Sequence, residues 1–345
     1  MIKLVTKKNL KIDLEYIFKK LLKKEDLNSS DSQFLVKTIF NEQIDNVELS
    51  SILTLLNIKN ESFEEIFAFA KHLKKKAKKI SLKGDLMDTC GTGGDNKNSF
   101  NFSTAVSILL STFNIKMAKH GNRSVTSKSG STDVLQSLGI KINLNIEEQK
   151  KFFNKHGICF LFAPNFHGSL RKVSQIRALL PFKTIFNLLG PLLNPSKLKY
   201  QLLGVSSKSN LRTHAKCLKE FNIKKAWVVY NLNGYDELTT TSSNKIIEVQ
   251  NKRIFKEKDL NPTEIGLKIR NENELKGGTP DENAFIMKRL FEGETGAIRD
   301  NVILNTAAGL VVSNKVKNLN EGLELARKNI DNGLAQKKLL SLINY

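Results

Sequence analysis

From about residue 83 onward, short apolar segments alternate with stretches of helical spacing along this 345-residue chain. The series starts at Leu86 and Met87 and continues at residues 115–118, 158–163, 201–205, 226–230 and 246–249. Strands that alternate with helices in this way are typical of a mainly parallel sheet with crossover helices. The pattern therefore predicts an α/β domain, and the last 55 residues are predicted to be helical.

The first 80 residues show helical spacing and no strand-like alternation. Leu14, Phe18 and Leu21 recur at helical intervals. The sequence Ser62-Phe-Glu-Glu65 is a capping-box pattern that predicts the start of a helix. We predict a small helical domain over residues 1–82, with residues of about 171–198 packing on it. A larger α/β domain, with a mostly parallel central sheet and flanking helices, is predicted over residues 83–345.

Composition narrows the class of protein. The three cysteines, Cys90, Cys159 and Cys217, are far apart, which excludes a disulfide scaffold and a Cys-x-x-Cys metal site. No apolar run is long enough to span a bilayer, and the N-terminus lacks the apolar core of a signal peptide. We therefore expect a soluble, cytoplasmic protein with no membrane partner.

The formal net charge of +21 raises nucleic acid as a partner. Only nine of the 55 basic residues are Arg, however, and base readout relies strongly on the planar Arg guanidinium. The Lys residues are spread through the chain. We interpret the charge as a Lys-rich composition and do not expect nucleic-acid binding.

A glycine-rich motif, Asp88-Thr-Cys-Gly91-Thr-Gly-Gly94-Asp95, directly follows the first predicted strand. Its spacing matches neither the dinucleotide-binding fingerprint nor a Walker A loop. Glycines allow close approach of the backbone to a ligand, and the following helix start, Asn101-Phe-Ser103-Thr104, adds hydroxyls and a positive dipole end. The combination indicates a phosphate or pyrophosphate site.

A second polar segment, Lys119–Ser131, is predicted to be a loop after a strand that ends at Ala118. It is rich in cationic groups and hydroxyls, which suits a polyanion. The carboxyl ends of strands in open α/β sheets are where ligands bind. We expect this loop and the glycine-rich loop to face the same crevice.

An acidic pair, Asp236-Glu237, follows a later predicted strand. Such a pair on a loop is usually only solvated. Near two anion-binding loops it also suits Mg²⁺, because hard carboxylate oxygens are the ligands with which Mg²⁺ bridges protein and diphosphate.

Six motifs in order resemble the anthranilate phosphoribosyltransferase family of tryptophan biosynthesis. They are Asp-x-x-GTGGD, NxST, KHGNRSVTSKSGS, FxFAPxxH, RxxLxxxTIFNLLGPLxNP and the late Asp-Glu pair. The resemblance covers essentially the whole chain. It implies homodimers paired through the helical domains and transfer of phosphoribose from phosphoribosyl pyrophosphate (PRPP) to anthranilate. Lys183, Ser99 and Tyr235 depart from residues that are common in the family.

The resemblance also assigns residues to ligands. PRPP would contact Gly91, Gly94, Asp95, Ser99, Asn101, Ser103, Thr104, Lys119, His120, Gly121, Asn122, Arg123, Ser124, Val125, Thr126, Ser127 and Ser131. Anthranilate would contact Gly91, His120, Asn122, His167 and Arg177. One or two Mg²⁺ ions, two with PRPP, would bind Ser103, Asp236 and Glu237. The catalytic residues implied are Lys119, Asn122 and Arg177.

Two other functions remain open at this stage. A pyrimidine nucleoside phosphorylase shares the architecture and a related glycine-rich loop, but the KHGNR and TIFNLLGPLxNP segments favour the transferase. A nucleic-acid-binding relative without enzymatic activity would suit the net charge. The presence of Asn122, Arg177 and the Asp-Glu pair argues against it.

Overall fold

The computed structural model describes residues 7–123 and 128–345, without the side chains of residues 7–12 and 172. The helices are α1 Lys7–Leu22, α2 Ser29–Phe40, α3 Asn46–Lys59, α4 Phe63–Lys76, α5 Phe102–Ser111, α6 Ser131–Ser137, α7 Ile146–His156, α8 Ala163–Phe166, α9 Arg171–Leu179, α10 Ile185–Leu189, α11 Ser209–Glu220, α12 Pro280–Phe291, α13 Ala297–Val312, α14 Leu319–Asp331 and α15 Leu334–Ile343. The strands are β1 Leu86–Gly91, β2 Lys116–Gly121, β3 Ile158–Phe162, β4 Leu198–Gly204, β5 Lys225–Asn231, β6 Asn244–Gln250, β7 Arg253–Ile254 and β8 Lys258–Leu260.

The chain divides into two compact units. A helical unit comprises Met1–Ala77 and His167–Leu193, and an α/β unit comprises Lys78–Phe166 and Asn194–Tyr345. The predicted fold class, a small helical domain with a larger α/β domain, is confirmed. The predicted domain bounds, 1–82 and 83–345 with residues of about 171–198 packing on the helical domain, stay a prediction.

The helical unit contains a buried carboxylate, Glu65, at the start of α4. Ser62 and Glu65 form the predicted capping box, with Ser62 N 2.8 Å from Glu65 Oε2. The other oxygen of Glu65 accepts a hydrogen bond from Leu27 N, and Lys59 Nζ lies 3.0 Å from Oε2. Glu65 is fully buried, so these partners are what allows its charge to stay in the core. In the same unit α10 packs against α3 and α4.

The α/β unit contains one sheet with the strand order β3-β2-β1-β4-β5-β6-β7, and β8 pairs with β6. Strands β1 to β5 are parallel, whereas β6 is antiparallel to β5. The chain leaves β1 toward β2 on one side and returns to its other side at β4. This reversal makes the edge beside β1 and β4 the topological switch point, where open α/β sheets bind ligands.

Two helices beside the sheet are buried almost all round. Nine of the ten residues of α5 and fourteen of the sixteen of α13 are buried, and the two helices pack against each other. Helices that are hydrophobic all round belong to the core. Helix α5 packs against β1 and β2, and α13 packs against β4 and β5, so both helices adjoin the strands of the switch point. Among the described helices, none combines the length and the apolar character needed to cross a membrane.

The second strand is longer than the sequence predicts. The predicted end at Ala118 is wrong, because β2 continues through Lys119, His120 and Gly121. These residues pair in register with Phe160, Leu161 and Phe162 of β3. The backbone ladder holds them regardless of side-chain polarity, so an apolar pattern does not reveal them.

Candidate active site

The glycine-rich loop begins at the last residue of β1, at the switch point of the sheet. Gly93 and Gly94 have φ angles of 72° and 71°, a conformation that favours glycine. Gly93 N donates a hydrogen bond to Asp236 Oδ2 over 2.7 Å. This N–H group therefore fixes the acidic pair rather than pointing at a ligand, which the sequence did not predict.

Two glycines make room for Asp236. Gly91 of β1 and Gly204 of β4 pair across the sheet. A Cβ atom on Gly91 would lie 2.0 Å from Asp236 Oδ2, and one on Gly204 would lie 1.5 Å from the Asp236 backbone oxygen. Asp236 occupies the space that two side chains would otherwise fill.

Three carboxylates meet at this point. Burial raises the pKa of Asp236, and the charge of Asp95 raises it further. Burial also raises the pKa of Glu237, helped by the charges of Asp236 and Asp95. The shifts reflect mainly the loss of water around the two carboxyl groups, and the repulsion among the three carboxylates adds to it.

Glu237 borders a small cavity of about 20 Å³, room for one water molecule or ion. The cavity is lined by Thr89, Cys90, Ser103, Val106, Leu202, Gly204, Val229, Asp236, Glu237 and Asn305. Ser103 N donates to the Glu237 carboxylate, and Glu237 Oε2 is buried with no hydrogen-bond partner in the described part of the chain. An orphaned carboxylate oxygen among acidic neighbours fits a hard cation.

Although these three carboxylates lie near one another, no group of three or more His, Cys, Asp or Glu side chains in the described part of the chain is arranged to hold a metal ion by itself. Mg²⁺ commonly keeps several waters and uses one or two carboxylates together with substrate phosphates. The Asp236 and Glu237 carboxylates therefore suit Mg²⁺ that arrives with a phosphorylated substrate, and not a closed metal cage.

The end of β2 places two predicted site residues beside a buried carboxylate. Lys119 is 3% exposed, and its Nζ donates to the backbone oxygen of His120. Asp88 Oδ1 accepts from His120 N. Asn194 Nδ2 lies 2.8 Å from Asp88 Oδ2 and 2.7 Å from Ala118 O, which joins β1 to β2. Burial raises the pKa of Asp88, and the charge of Lys119 opposes that shift.

The segment after β2 folds back on α6. Ser131 Oγ and Thr132 N both donate to Asn122 O. Arg123 pairs with Asp133 at 2.9 Å and donates to Gln136 Oε1. Its guanidinium is thus paired with side chains of α6, and its assignment to PRPP stays a prediction. Four residues assigned to PRPP, Ser124, Val125, Thr126 and Ser127, lie outside the described residues.

The start of α5 is tied to its surroundings through Asn101. Its side chain donates to Ser129 O and accepts from Asn283 Nδ2. Ser99 forms an isolated bridge with Lys276. The Thr104 hydroxyl is fully buried without a hydrogen-bond partner among the described residues.

Two residues assigned to anthranilate belong to the helical unit. His167 is buried. Arg177 on α9 lies with its guanidinium carbon 5.5 Å from the Phe186 ring centroid and donates to Asn187 Oδ1 over 3.4 Å. Burial lowers the pKa of Arg177. This cation–π contact and the hydrogen bond to Asn187 both restrict the position of the guanidinium.

Two residues of α13 that hold the segment after the acidic pair were not predicted from the sequence. Asn305 hydrogen-bonds to the backbone of Leu238, and Asn301 does so to the backbone of Thr240. The sequence does show two Asn residues four positions apart in a mostly apolar helix, and buried amides need hydrogen-bond partners. The sequence alone does not indicate which residues those partners are.

The comparisons with known proteins agree with this architecture. Residues 15–77 match the family model described as "Glycosyl transferase family, helical bundle domain", and residues 83–336 match "Glycosyl transferase family, a/b domain".

Named relatives and solved structures agree as well. The chain is 42% identical over 331 residues to an anthranilate phosphoribosyltransferase of Petrotoga mobilis, with 96% of each chain covered. It superposes on the enzyme of that name from Thermus thermophilus with a TM-score of 0.86 and 34% identity, covering 94% of this chain and 98% of that one. The Saccharomyces cerevisiae enzyme in complex with PRPP and Mg gives a TM-score of 0.87 at 29% identity, with 96% and 97% covered. The chain therefore belongs to the anthranilate phosphoribosyltransferase family.

Proposed function

We propose that this pentosyl-transferring enzyme carries out its reaction at the switch point of the sheet, between the ends of β1 and β4. In tryptophan biosynthesis it transfers the 5-phosphoribosyl group of PRPP to anthranilate, giving N-(5-phosphoribosyl)anthranilate and pyrophosphate. The observation that carries the location is the meeting of Asp95, Asp236 and Glu237 beside the glycine-rich loop.

Mg²⁺ is the metal cofactor, as the yeast relative with PRPP and Mg supports. Asp236 and Glu237 would hold it, with Ser103 beside them, and we propose two ions when PRPP is present. When bound, Mg²⁺ supplies positive charge that neutralises the departing pyrophosphate. The orphaned Glu237 oxygen and the raised carboxyl pKa values support this assignment, because both would be relieved by a cation.

The rest of the PRPP site is proposed from the chain itself. Gly91, Gly94 and Asp95 would hold the ribose-pyrophosphate portion, and the N-terminus of α5 would add its dipole. Lys119 would place its ammonium near the leaving group. Positive charge develops on the ribose anomeric carbon as pyrophosphate leaves, so these groups act by electrostatic stabilisation and need no covalent intermediate.

Anthranilate needs orientation more than activation, because its aromatic amine is neutral at pH 7. We propose that Arg177 binds the anthranilate carboxylate and that Asn122 contacts the same substrate. His120 and His167 would line its approach. The contact of the Arg177 guanidinium with the Phe186 ring supports this role, since a guanidinium that is already restricted loses less freedom on binding.

We further propose a homodimer that pairs through the helical units, and a cytoplasmic location. Neither nucleic acid nor a membrane is a proposed partner. The apolar side chains of Leu22, Val47 and Leu179 in the helical unit are exposed and so available for contact with a partner chain.

The test is the loss of anthranilate fluorescence when PRPP is added to the purified protein with Mg²⁺. We expect a PRPP-dependent decay that EDTA abolishes. Glu237→Gln should slow the decay, and Glu264→Gln, an exposed carboxylate elsewhere in the α/β unit, should not. A folded protein that binds PRPP but gives no decay would contradict the anthranilate assignment.

A further inference from the structure

Helix α13 carries two asparagines, Asn301 and Asn305, one turn apart in the sequence NVILNTAAG. They are 0% and 4% exposed. A buried amide that lacks partners destabilises the fold, whereas a fully bonded one fixes its neighbours in place. The hydrogen-bond partners of Asn301 and Asn305 therefore show which part of the chain each side chain holds in place.

Both carboxamides are fully hydrogen-bonded, and each holds one residue at two points. Asn305 Oδ1 accepts from Leu238 N over 3.2 Å, while its Nδ2 donates to Leu238 O over 2.7 Å and to Asn301 O over 2.9 Å. Asn305 thus holds one residue by both its backbone N–H and its backbone oxygen. Both hydrogens of its amide group are used.

Asn301 holds a residue two positions further along the segment, by its backbone N–H and its side-chain hydroxyl. Its Oδ1 accepts from Thr240 N over 2.9 Å, and its Nδ2 donates to Thr240 Oγ1 and to Ala297 O. Both asparagines anchor the β5–β6 connection to α13. They differ in which residue of that connection they hold.

Asn305 anchors the residue that directly follows Glu237. One oxygen of the Glu237 carboxylate is buried without a hydrogen-bond partner among the described residues, so side-chain bonds hold this carboxylate only in part. The neighbouring Leu238 is fully buried and held at two points of its backbone, which fixes the chain directly after Glu237. Asn305 also lines the cavity that Glu237 borders.

We propose that Asn305 is a positioning residue for the metal site: its two-point hydrogen bond to Leu238 holds Glu237 in place to bind Mg²⁺. The proposal rests on the proposed function, because it takes Glu237 as a metal ligand. Asn301, which holds Thr240, serves the fold of the same segment without setting the position of Glu237.

The experiment compares Asn305→Ala with Asn301→Ala as its matched control. Both remove a buried, fully bonded amide from the same helix, so both should lower the unfolding temperature to a similar extent. Mn²⁺ binding in the presence of PRPP would be measured from the water proton relaxation that protein-bound Mn²⁺ enhances. We expect Asn305→Ala to weaken Mn²⁺ binding by about 10- to 100-fold, the usual effect of losing a residue that orients a metal ligand.

The control should leave Mn²⁺ binding within about twofold of the unaltered protein. Equal loss of Mn²⁺ affinity in both variants would overturn the proposal, since the effect would then follow stability alone. If Asn305→Ala does not fold, Asn305→Ser, which keeps a small polar group, is measured against Asn301→Ser with the same two outcomes.

Glu237→Gln separates this proposal from the proposed function. If Glu237→Gln loses Mn²⁺ affinity while the two asparagine variants behave alike, only the positioning role of Asn305 is overturned. If Glu237→Gln binds Mn²⁺ as the unaltered protein does, the metal assignment fails, and the role of Asn305 fails with it.

Discussion

Asp236 lies against two glycines, Gly91 and Gly204, that pair on the neighbouring strands β1 and β4. The contact with Gly204 involves the backbone oxygen of Asp236, which cannot move by a change of rotamer. The shortest contact with Gly91 involves the end of the side chain, at 2.0 Å, and the backbone oxygen of Asp236 lies farther away, at 2.9 Å. Gly204 is therefore the stricter requirement of the two.

We expect Gly204→Ala to lower kcat on the order of 100-fold, because the new Cβ would displace the Asp236–Glu237 segment and small displacements at a reacting centre are costly. Steady-state kinetics with varied Mg²⁺ would measure the effect. Gly190→Ala is the control, since a Cβ there would meet nothing within 4 Å. Unchanged kinetics for Gly204→Ala would mean that the segment can shift without harm.

Arg177 is a separate single-residue test. We expect Arg177→Ala to raise the KM for anthranilate by about 10- to 100-fold, the value of a hydrogen-bonded charge, with a much smaller change in the KM for PRPP. Arg171→Ala, an exposed arginine on the same helix, serves as the control. Equal effects of Arg177→Ala on both KM values would refute a carboxylate-binding role.

Among the secondary-structure elements, the connection between α3 and α4 contains an unusual carboxyl group. Burial raises the pKa of Glu61 to about 7, and the charge of Glu65 adds to the shift. The folded state therefore holds a proton that the unfolded chain, with a pKa near 4.5, releases. Stability falls as the pH rises from about 4.5 to 7, and it levels off above that range.

Glu61→Gln removes this titration. We expect the variant to gain unfolding temperature relative to the unaltered protein, with a larger gain at pH 8 than at pH 5. Thermal unfolding followed by circular dichroism at both pH values would measure it. Glu25→Gln, at an exposed carboxylate of the same unit, should show no such pH-dependent gain. A gain that is equal at the two pH values would show that Glu61 does not keep its proton in the folded state.

Periodicity in the sequence predicted the helices of the first 80 residues, and the short apolar segments predicted the central strands. Local rules suffice there, because burial of one face or of a whole strand leaves a repeating pattern. The polar end of β2 at Lys119 and His120 was not predicted to be part of the strand, because its pairing with β3 depends on backbone hydrogen bonds and not on side-chain polarity. The same limit applied to Gly204 and Asn305, whose roles depend on contacts with residues 32 and 67 positions away.

At the scale of the whole molecule, the net charge of +21 affects the oligomeric state. Self-repulsion opposes association, so a dimer needs apolar contact to overcome it. Leu22, Val47 and Leu179 of the helical unit are each at least two-thirds exposed, and their burial in a partner would supply such contact.

We expect light scattering to give a molar mass twice the 38.9 kDa of one chain. A Leu22→Glu/Val47→Glu double variant should shift the mass toward that of a single chain, because buried charges would oppose pairing. Phe285→Glu, at an exposed apolar position of the α/β unit, should remain dimeric. A single-chain mass for the unaltered protein would contradict the homodimer.

The helical unit is built from two separate pieces of the chain, and this affects its synthesis. Helices α3 and α4 are complete once Lys76 has been made, but α10, which packs against them, follows only after Ile185. At about 5–20 residues per second, the ribosome needs roughly 5 to 20 s for the intervening stretch. During that interval the nascent chain carries helices whose apolar faces are not yet covered by α10. A holding chaperone would bind the nascent chain during this period.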